Sequence, residues 1–256
     1  MTQLTAQNHK NRLVLLSGPS CVGKGPLHRS LESHYPELAE RLSLLVLYNS
    51  RAPRPGEKDD VHYHFRPRSE VERMRDQEGF IVMDVRGDLQ ALELKSVREL
   101  LEHHCDPFYE GNPFIASQLL QHPGLGDIPK LSIFLSPLSG AEVQYLSKPE
   151  KRVDLATFLS DVMRRKLLRR TQKQKGLLSK LDLENIERRA TSAFIELQLA
   201  WQFDHIIPNH DGEDSENWDA FYYPIGDAWK ATQAFAALLS GESTPYTEHW
   251  EKDFLH

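Results

Sequence analysis

The sequence has 256 residues, 39% hydrophobic and 27% charged, which is enough chain for one sizeable buried core. Its net charge of −6 excludes the overall positive field that favours nucleic-acid binding. Two cysteines exclude a disulfide scaffold, and no apolar stretch approaches the roughly 20 residues of a membrane span. We therefore expect a soluble cytoplasmic protein without a nucleic-acid or membrane partner.

Apolar runs separated by helical patterns recur along the chain. Residues 12–17 are continuously apolar, which predicts a parallel strand covered on both faces. A glycine follows, and residues 26–34 predict a helix. Further strands are predicted at 44–47, 131–135 and 205–208. This alternation predicts an α/β fold with a parallel sheet.

A long, strongly charged stretch at residues 162–199 has helical periodicity. Its apolar stripe consists of Ile186, Ala190, Phe194 and Leu197. The run 172–176 interrupts the pattern and predicts a mobile loop. After the strand at 205–208, residues 209–219 predict an acidic, polar loop.

Residues 18–24 have the sequence of a phosphate-binding loop, and they stand between a predicted strand and a predicted helix, as that loop requires. Its glycines let backbone N–H groups converge on phosphate oxygens, and the lysine reaches the outer phosphates. We predict that this loop binds ATP through Gly18, Pro19, Ser20, Cys21, Val22, Gly23, Lys24 and Gly25.

The position after the lysine carries Gly25, where this loop normally has a serine or threonine hydroxyl for magnesium. Magnesium usually keeps several waters and takes phosphate oxygens of the nucleotide. We therefore expect ATP to be used with Mg²⁺, while the protein's own metal ligands stay unassigned.

A second cluster lies at residues 50–57, where Arg51 and Arg54 stand three apart in a stiff, proline-containing segment. Two guanidinium groups so placed can converge on one anion, and the hydroxyl of Tyr63 can add a donor. The segment predicts a clamp for a phosphate group. A solvated basic turn is the alternative.

A third cluster lies at residues 164–171, within the charged helical stretch and next to its predicted mobile loop. Arg165 and Arg169 are four residues apart and share a helix face. Arginines on a mobile segment neutralise the charge on a phosphoryl group during its transfer, and a lid excludes water. A basic surface face is the alternative.

Together these motifs resemble the guanylate kinase family over roughly residues 12–211. The loop at 16–25 and the segment 51–57 followed by 63–65 carry the resemblance. It implies a three-layer P-loop NTPase fold with a parallel sheet, an acceptor-binding insertion and a helical lid. A single domain, 1–256, would have its core at 12–47, 96–161 and 190–240, its acceptor-binding region at 48–95 and its lid at 162–189.

The resemblance also implies roles for individual residues. Lys24, Arg165, Arg169 and Arg189 would be catalytic and contact the transferring phosphates. Arg51, Arg54 and Tyr63 would bind the acceptor phosphate. Asn209 would lie near the adenine of ATP, and Glu110 would take the place of a family aspartate in the acceptor site.

The base pocket departs from the family pattern. Ile81 replaces the glutamate that reads guanine, Gln90 replaces a tyrosine at the acceptor phosphate, and Leu47 and Leu92 replace serine or threonine. Each guanine donor left without an acceptor would cost about 1–3 kcal/mol.

The departures leave three hypotheses about function. The first is a kinase that phosphorylates GMP, the acceptor of the family. The second is a kinase for another phosphate ester, such as a different nucleotide or a ribose bisphosphate. The third is a catalytically inactive binding module, which the retained Lys24 and lid arginines oppose.

Overall fold

The structure, a computed structural model, describes residues 11–53 and 56–255. The strands are, in chain order, β1 (Leu13–Ser17), β2 (Leu42–Leu44), β3 (Leu47–Asn49), β4 (Tyr63–Phe65), β5 (Phe80–Val85), β6 (Asp88–Glu93), β7 (Asp106–Gly111), β8 (Lys130–Ser136) and β9 (His205–Pro208). They form a five-stranded parallel sheet in the order β2-β7-β1-β8-β9 and a four-stranded sheet in the order β4-β3-β6-β5. The predicted α/β class with a parallel sheet is confirmed.

The helices surround these sheets. They are α1 (Lys24–His34), α2 (Pro36–Ala39), α3 (Arg68–Arg73), α4 (Leu94–Glu102), α5 (Pro113–Gln121), α6 (Gly140–Leu146), α7 (Leu155–Lys175), α8 (Lys180–Thr191), α9 (Ala193–Leu197) and α10 (Gly226–Leu239). Within the described residues, no helix combines the length and the apolar character needed to cross a membrane.

The core lies around β1, which is buried along its whole length, as its continuous apolar run predicted. Because β1 is the central strand of the parallel sheet, both of its edges are paired, with β7 on one side and β8 on the other. The carboxyl end of β1 therefore leads the chain into the middle of the sheet edge, where ligands of open α/β sheets bind.

The prediction of a single strand at 44–47 is wrong. The run divides between the two sheets, since β2 ends at Leu44 and β3 begins at Leu47. Between them the N–H of Leu45 still donates to the carbonyl of Phe108 on β7, at 2.8 Å. An apolar run does not reveal a change of sheet, because hydrophobicity alone does not show which strand each residue pairs with. Leu44 is 42% exposed, whereas Leu47 is 4% exposed.

The lid region consists of two long helices, with the break slightly later than predicted. Helix α7 continues to Lys175 and ends where Gly176 adopts φ 73°, a left-handed conformation suited to glycine. Helix α8 then begins after Ser179, which accepts a hydrogen bond from the backbone N–H of Asp182. The predicted apolar stripe is buried at Ile186, Ala190 and Leu197 and half-buried at Phe194.

The predicted division into core, acceptor-binding region and lid has structural counterparts. The second sheet is built from residues within 47–93, and α7 and α8 extend over 155–191. The boundaries themselves, and the single-domain assignment, stay a prediction.

The C-terminal tail packs against the last strand of the parallel sheet. Glu248 exchanges backbone hydrogen bonds with Ile206 on β9, at 2.7 and 2.8 Å. Its carboxylate accepts from the N–H of Gly140 at the start of α6, at 2.7 Å, and from the indole of Trp250, at 2.8 Å. Trp250 is 3% exposed, so the tail is an integral part of the core.

Replacement of Trp250 by alanine is expected to lower the free energy of unfolding by about 3–5 kcal/mol, because it removes a large buried ring and leaves a cavity. Urea denaturation followed by circular dichroism measures this loss. Tyr222→Ala is the matched control, since this aromatic side chain is fully exposed. Equal midpoints for the Trp250→Ala variant and the unmodified protein would contradict the packing of the tail.

Candidate functional site

The loop between β1 and α1 is closely enclosed by its neighbours. A side chain at Gly18 would place its Cβ 2.3 Å from the carbonyl oxygen of Leu135 on β8. At Gly23, where φ is 105°, a Cβ would lie 2.6 Å from the carbonyl oxygen of Asp211. Both positions therefore require glycine, and the loop has a fixed shape.

Lys24 turns back over this loop. Its side chain is buried, and Nζ donates to the carbonyl oxygens of Gly18 and Pro19, each at 2.8 Å. Burial lowers the pKa of Lys24, and the negative charges of Glu213 and Glu110 partly oppose that effect. The ammonium group is thus held at the mouth of the loop by the loop's own backbone.

A cavity of about 220 Å³, here called the central cleft, opens beside the loop. It is lined by residues from both sheets and from the lid. The predicted site residues that line it are Gly18, Ser20, Cys21, Lys24, Arg51, Tyr63, Glu110 and Arg189. The fold therefore brings the predicted triphosphate loop, acceptor clamp and one lid arginine to a single place.

Arg51 is held rigidly on the acceptor side of the cleft. Its guanidinium forms two hydrogen bonds with the carboxylate of Glu57, at 2.6 and 2.7 Å. It also lies 5.2 Å from the ring centroid of Tyr63 and 5.4 Å from that of Phe65. Arg54, the other predicted member of the clamp, lies outside the described residues.

On α7, the structure places at the cleft an arginine that was not predicted. Arg170 lines the cleft, its side chain is 13% exposed, and it pairs with Glu213 at 2.5 Å. Arg165 is exposed, and Arg169 is 70% exposed and lies 3.6 Å from Asp214. Neither of these two predicted residues lines the cleft.

The reason is the orientation of α7. Its buried face consists of Leu159, Met163, Leu167 and Thr171. Arg170 is adjacent to that face, whereas Arg165 and Arg169 follow Met163 and Leu167 by two residues and point away from it. The spacing of apolar residues along α7, rather than the arginine spacing alone, was the signal that identifies Arg170.

From α8, Arg189 reaches the loop, while its predicted contact with the transferring phosphates stays a prediction. Its Nε donates to the hydroxyl of Ser20 at 3.0 Å. The lid therefore contacts the triphosphate loop directly.

Glu213 was not predicted as a site residue, yet it lines the cleft between Lys24 and Arg170. Burial alone would raise the pKa of its carboxyl group, but the charges of Arg170 and Lys24 outweigh burial and hold the pKa below its ordinary value. Glu213 is therefore an ionised partner that fixes Arg170 near the loop.

Asn209 supports the loop from behind. It is fully buried, and its amide nitrogen donates to the carbonyl oxygens of Val22 and Asp211, at 2.8 and 2.7 Å. The side chain is thus committed to backbone groups and does not line the cleft, and its predicted position near adenine stays a prediction.

The surroundings of Gly25 hold one carboxylate and one guanidinium. A Cβ at Gly25 would lie 3.5 Å from Nη1 of Arg29 and 3.7 Å from Oε1 of Glu110, so both groups share the space near where a serine or threonine hydroxyl would point. The other oxygen of Glu110 lies 3.3 Å from Nδ1 of His28. Within residues 11–53 and 56–255, no group of three or more His, Cys, Asp or Glu residues is placed to hold a metal. A single carboxylate with phosphate oxygens and water is the arrangement magnesium usually takes.

On the base side of the acceptor region, apolar residues are buried in the core. Ile81 is 6% exposed, Leu47 is 4% exposed, and Leu92 is fully buried. Gln90 lines the cleft, where its amide oxygen accepts from the amide of Asn112 at 2.9 Å. On this side, the central cleft is lined by the amide groups of Gln90 and Asn112 and by the carboxylate of Glu110. Position 81 carries no carboxylate.

A second cavity of about 610 Å³ lies beneath the lid and shares Arg170 and Arg189 with the central cleft. Its other walls include Arg29 on α1 and Asn185 on α8. There is therefore room beside the loop for a ligand larger than its phosphate groups.

Cys21 is expected to resist alkylation in the folded protein. Its thiol is completely buried, and burial, reinforced by the negative charge of Glu213, raises its pKa to about 12. Because the thiolate is the reactive form, iodoacetamide at neutral pH should modify Cys105 and spare Cys21. Peptide mass spectrometry measures both sites, with urea-unfolded protein as the control. Modification of Cys21 as fast as Cys105 would contradict this burial.

Known proteins resemble this chain in sequence. The family model described as Guanylate kinase matches residues 10–151. The guanylate kinase of Synechococcus sp. (strain JA-3-3Ab) is 32% identical over 218 residues, which cover 84% of this chain and 83% of that protein. The guanylate kinase of Leifsonia xyli subsp. xyli (strain CTCB07) is 29% identical over 208 residues, which cover 80% of this chain and 68% of that protein.

A solved structure resembles this chain in fold. The crystal structure of guanylate kinase from Anaplasma phagocytophilum superimposes with a TM-score of 0.53, covering 93% of this chain and 89% of that one. The sequence identity is 17%, so this likeness concerns the arrangement of helices and strands.

Proposed function

Because the chain belongs to the guanylate kinase family, we propose that it transfers the γ-phosphoryl group of ATP to the phosphate of GMP. The single observation that carries the proposal is the meeting of Lys24, Arg51, Tyr63, Arg170 and Arg189 in one cleft. Donor and acceptor phosphates bound by these groups would be adjacent, as direct transfer requires.

Each side of the cleft has a role in this reaction. The loop and Lys24 would bind the outer phosphates of ATP, and Arg51 and Tyr63 would bind the acceptor phosphate. Arg170 and Arg189 would neutralise charge on the phosphoryl group in the transition state. Phosphoryl transfer needs positioning and charge stabilisation above all, so no further catalytic base is required.

Glu110 would hold the magnesium ion that accompanies ATP, since its carboxylate lies beside Gly25 and faces the cleft. When bound, magnesium would supply positive charge that neutralises the phosphates of ATP. Glu110 would then bind the metal, whereas the family resemblance predicts that it lies in the acceptor site.

A cytoplasmic location is part of the proposal. Cys21 and Cys105 are both free thiols, which fits a reducing compartment.

A second candidate acceptor is another phosphate ester, such as a different nucleotide or a ribose bisphosphate. The burial of Ile81 and Leu92 in the core favours it, because apolar groups there provide no acceptor for the N–H groups of guanine. With such an acceptor the phosphoryl transfer would be the same, and only the recognition of the group attached to the phosphate would differ.

A phosphoryl-transfer screen with Mg-ATP tests both candidates. GMP, AMP, CMP, UMP, ribose 5-phosphate and ribose 1,5-bisphosphate are offered separately, and ADP release is coupled to a spectrophotometric readout. Preferential turnover of GMP supports the main proposal, and preferential turnover of another acceptor supports the second. Absence of turnover with every acceptor contradicts both, and binding of GMP without turnover would then favour an inactive binding module.

A further inference from the structure

The turn between β5 and β6 carries an arginine in an unusual backbone conformation. Val85 pairs with Asp88, so Arg86 and Gly87 form a two-residue hairpin loop. Their φ angles are 59° and 91°. Such turns favour asparagine or glycine at both positions, and arginine is uncommon with a positive φ. The turn geometry alone therefore gives no reason for an arginine at position 86.

The guanidinium of Arg86 is fixed by a buried carboxylate far away in sequence. Nε and Nη2 both donate to Oε1 of Glu196 on α9, at 2.7 and 2.5 Å. Glu196 is completely buried, and its Oε1 also accepts from the hydroxyl of Ser192 at 2.6 Å. A carboxylate with no access to water is stable only when it is paired, so the pair sets the orientation of the guanidinium. Nη1 stays outside this pair.

The guanidinium lies where the acceptor phosphate is proposed to bind. Arg86 lines the central cleft together with Arg51 and Tyr63. It also lines a small neighbouring cavity of about 30 Å³ with Arg51, Gln90 and Arg189. Gln90, on the same wall, is neutral and already bonded to Asn112. Arg86 is therefore the charged donor that the β5–β6 hairpin contributes to this end of the cleft.

We propose that Arg86 is an acceptor-binding residue, whose Nη1 donates to the phosphate held by Arg51 and Tyr63, and that Glu196 is the positioning residue that directs it. This inference rests on the proposed phosphotransferase function. The inference has a specific consequence. Because Arg86 would contact the phosphate and no base, its loss should lower the affinity for acceptors with different bases to the same degree.

Variants at positions 86 and 196 separate phosphate binding from a purely structural role. Arg86→Ala is expected to raise the KM for the acceptor about 10- to 100-fold, the usual effect of losing a charged hydrogen bond, with a much smaller change in the KM for ATP. Arg86→Lys keeps the charge but loses the fork geometry, so partial rescue is expected. Glu196→Gln should raise the acceptor KM less than Arg86→Ala does, since it loosens the guanidinium without removing it.

Arg68→Ala is the matched control. Arg68 holds the same turn from outside, donating to the carbonyl of Gly87 at 2.8 Å and pairing with Asp84, and it is 54% exposed. Its replacement should leave the acceptor KM within about twofold of the original value. Melting temperatures of all variants identify any that unfold.

Calorimetric titration of each variant with GMP, ribose 5-phosphate and inorganic phosphate, without ATP, tests Arg86 independently of turnover. Similar losses of affinity for GMP and ribose 5-phosphate in Arg86→Ala support the inference, even if GMP proves not to be phosphorylated. Unchanged affinities in folded Arg86→Ala protein overturn it, as does a loss confined to GMP. Absence of binding of all three probes to the unmodified protein also overturns it.

Discussion

Replacement of Lys24 by alanine is expected to lower kcat for phosphoryl transfer by about 10²- to 10³-fold, the effect of removing one preorganised donor from a developing negative charge. In the proposed reaction, Lys24 is the cation that the loop would present to the phosphates, and its burial would strengthen its electrostatic effect. Steady-state kinetics with saturating Mg-ATP and acceptor measure kcat directly.

Lys180→Ala is the control for this variant, because Lys180 lies on the lid and its side chain is 90% exposed. Its kcat should be nearly that of the unmodified protein. A melting temperature for Lys24→Ala distinguishes lost catalysis from lost folding, since the carbonyls of Gly18 and Pro19 lose their donor. Retention of normal kcat in the folded Lys24→Ala protein would rule out the loop as the triphosphate site.

Arg170→Ala is expected to lower kcat by about 10²-fold or more, because an arginine that neutralises the transferring phosphoryl group has effects of this size or larger. The neighbouring Arg169→Ala should change kcat by less than about threefold, since its side chain is mostly exposed and points away from the cleft. The two residues are adjacent in sequence and alike in chemistry, so the comparison isolates their orientation.

Loss of Arg170 also leaves the partly buried carboxylate of Glu213, which is 21% exposed, without its partner, and this is destabilising in itself. The double variant Arg170→Ala/Glu213→Gln removes that unpaired charge. If its melting temperature recovers while kcat stays low, the effect of Arg170 is catalytic. A larger fall in kcat for Arg169→Ala than for Arg170→Ala would instead support the interpretation based on sequence spacing.

Site residues could be predicted from the sequence where one short segment determines the chemistry. The loop from Gly18 to Lys24 needs its glycines for steric reasons that are local, and its flanking strand and helix have clear patterns. Arg51 and Tyr63 were also predicted, because the proline-rich segment and the family resemblance both pointed to them.

Residues whose roles depend on distant partners were harder to predict. Arg86 and Glu196 are 110 positions apart, and Arg170 and Glu213 are 43 apart. In each case the sequence shows an arginine among many, and the carboxylate that it meets lies far away in the chain, so the packing is needed to show the pair. For Arg170, the spacing of apolar residues along α7 gives the side of the helix but not the partner. The support that Asn209 gives to the loop was not predicted for a related reason, since its partner, the carbonyl of Val22, is a backbone group that any residue type provides.

The continuous run of chain that forms the second sheet has an evolutionary consequence. Residues 47–93 leave the parallel sheet after β2 and return to it through α4, while the loop, the lid and Glu213 all lie outside this stretch. In the proposed function, most of the acceptor-binding groups and the triphosphate-binding groups thus fall in separate portions of the sequence. A graft of 47–93 from a relative could change the acceptor and leave the catalytic machinery intact, provided that position 86 of the graft remains compatible with Glu196.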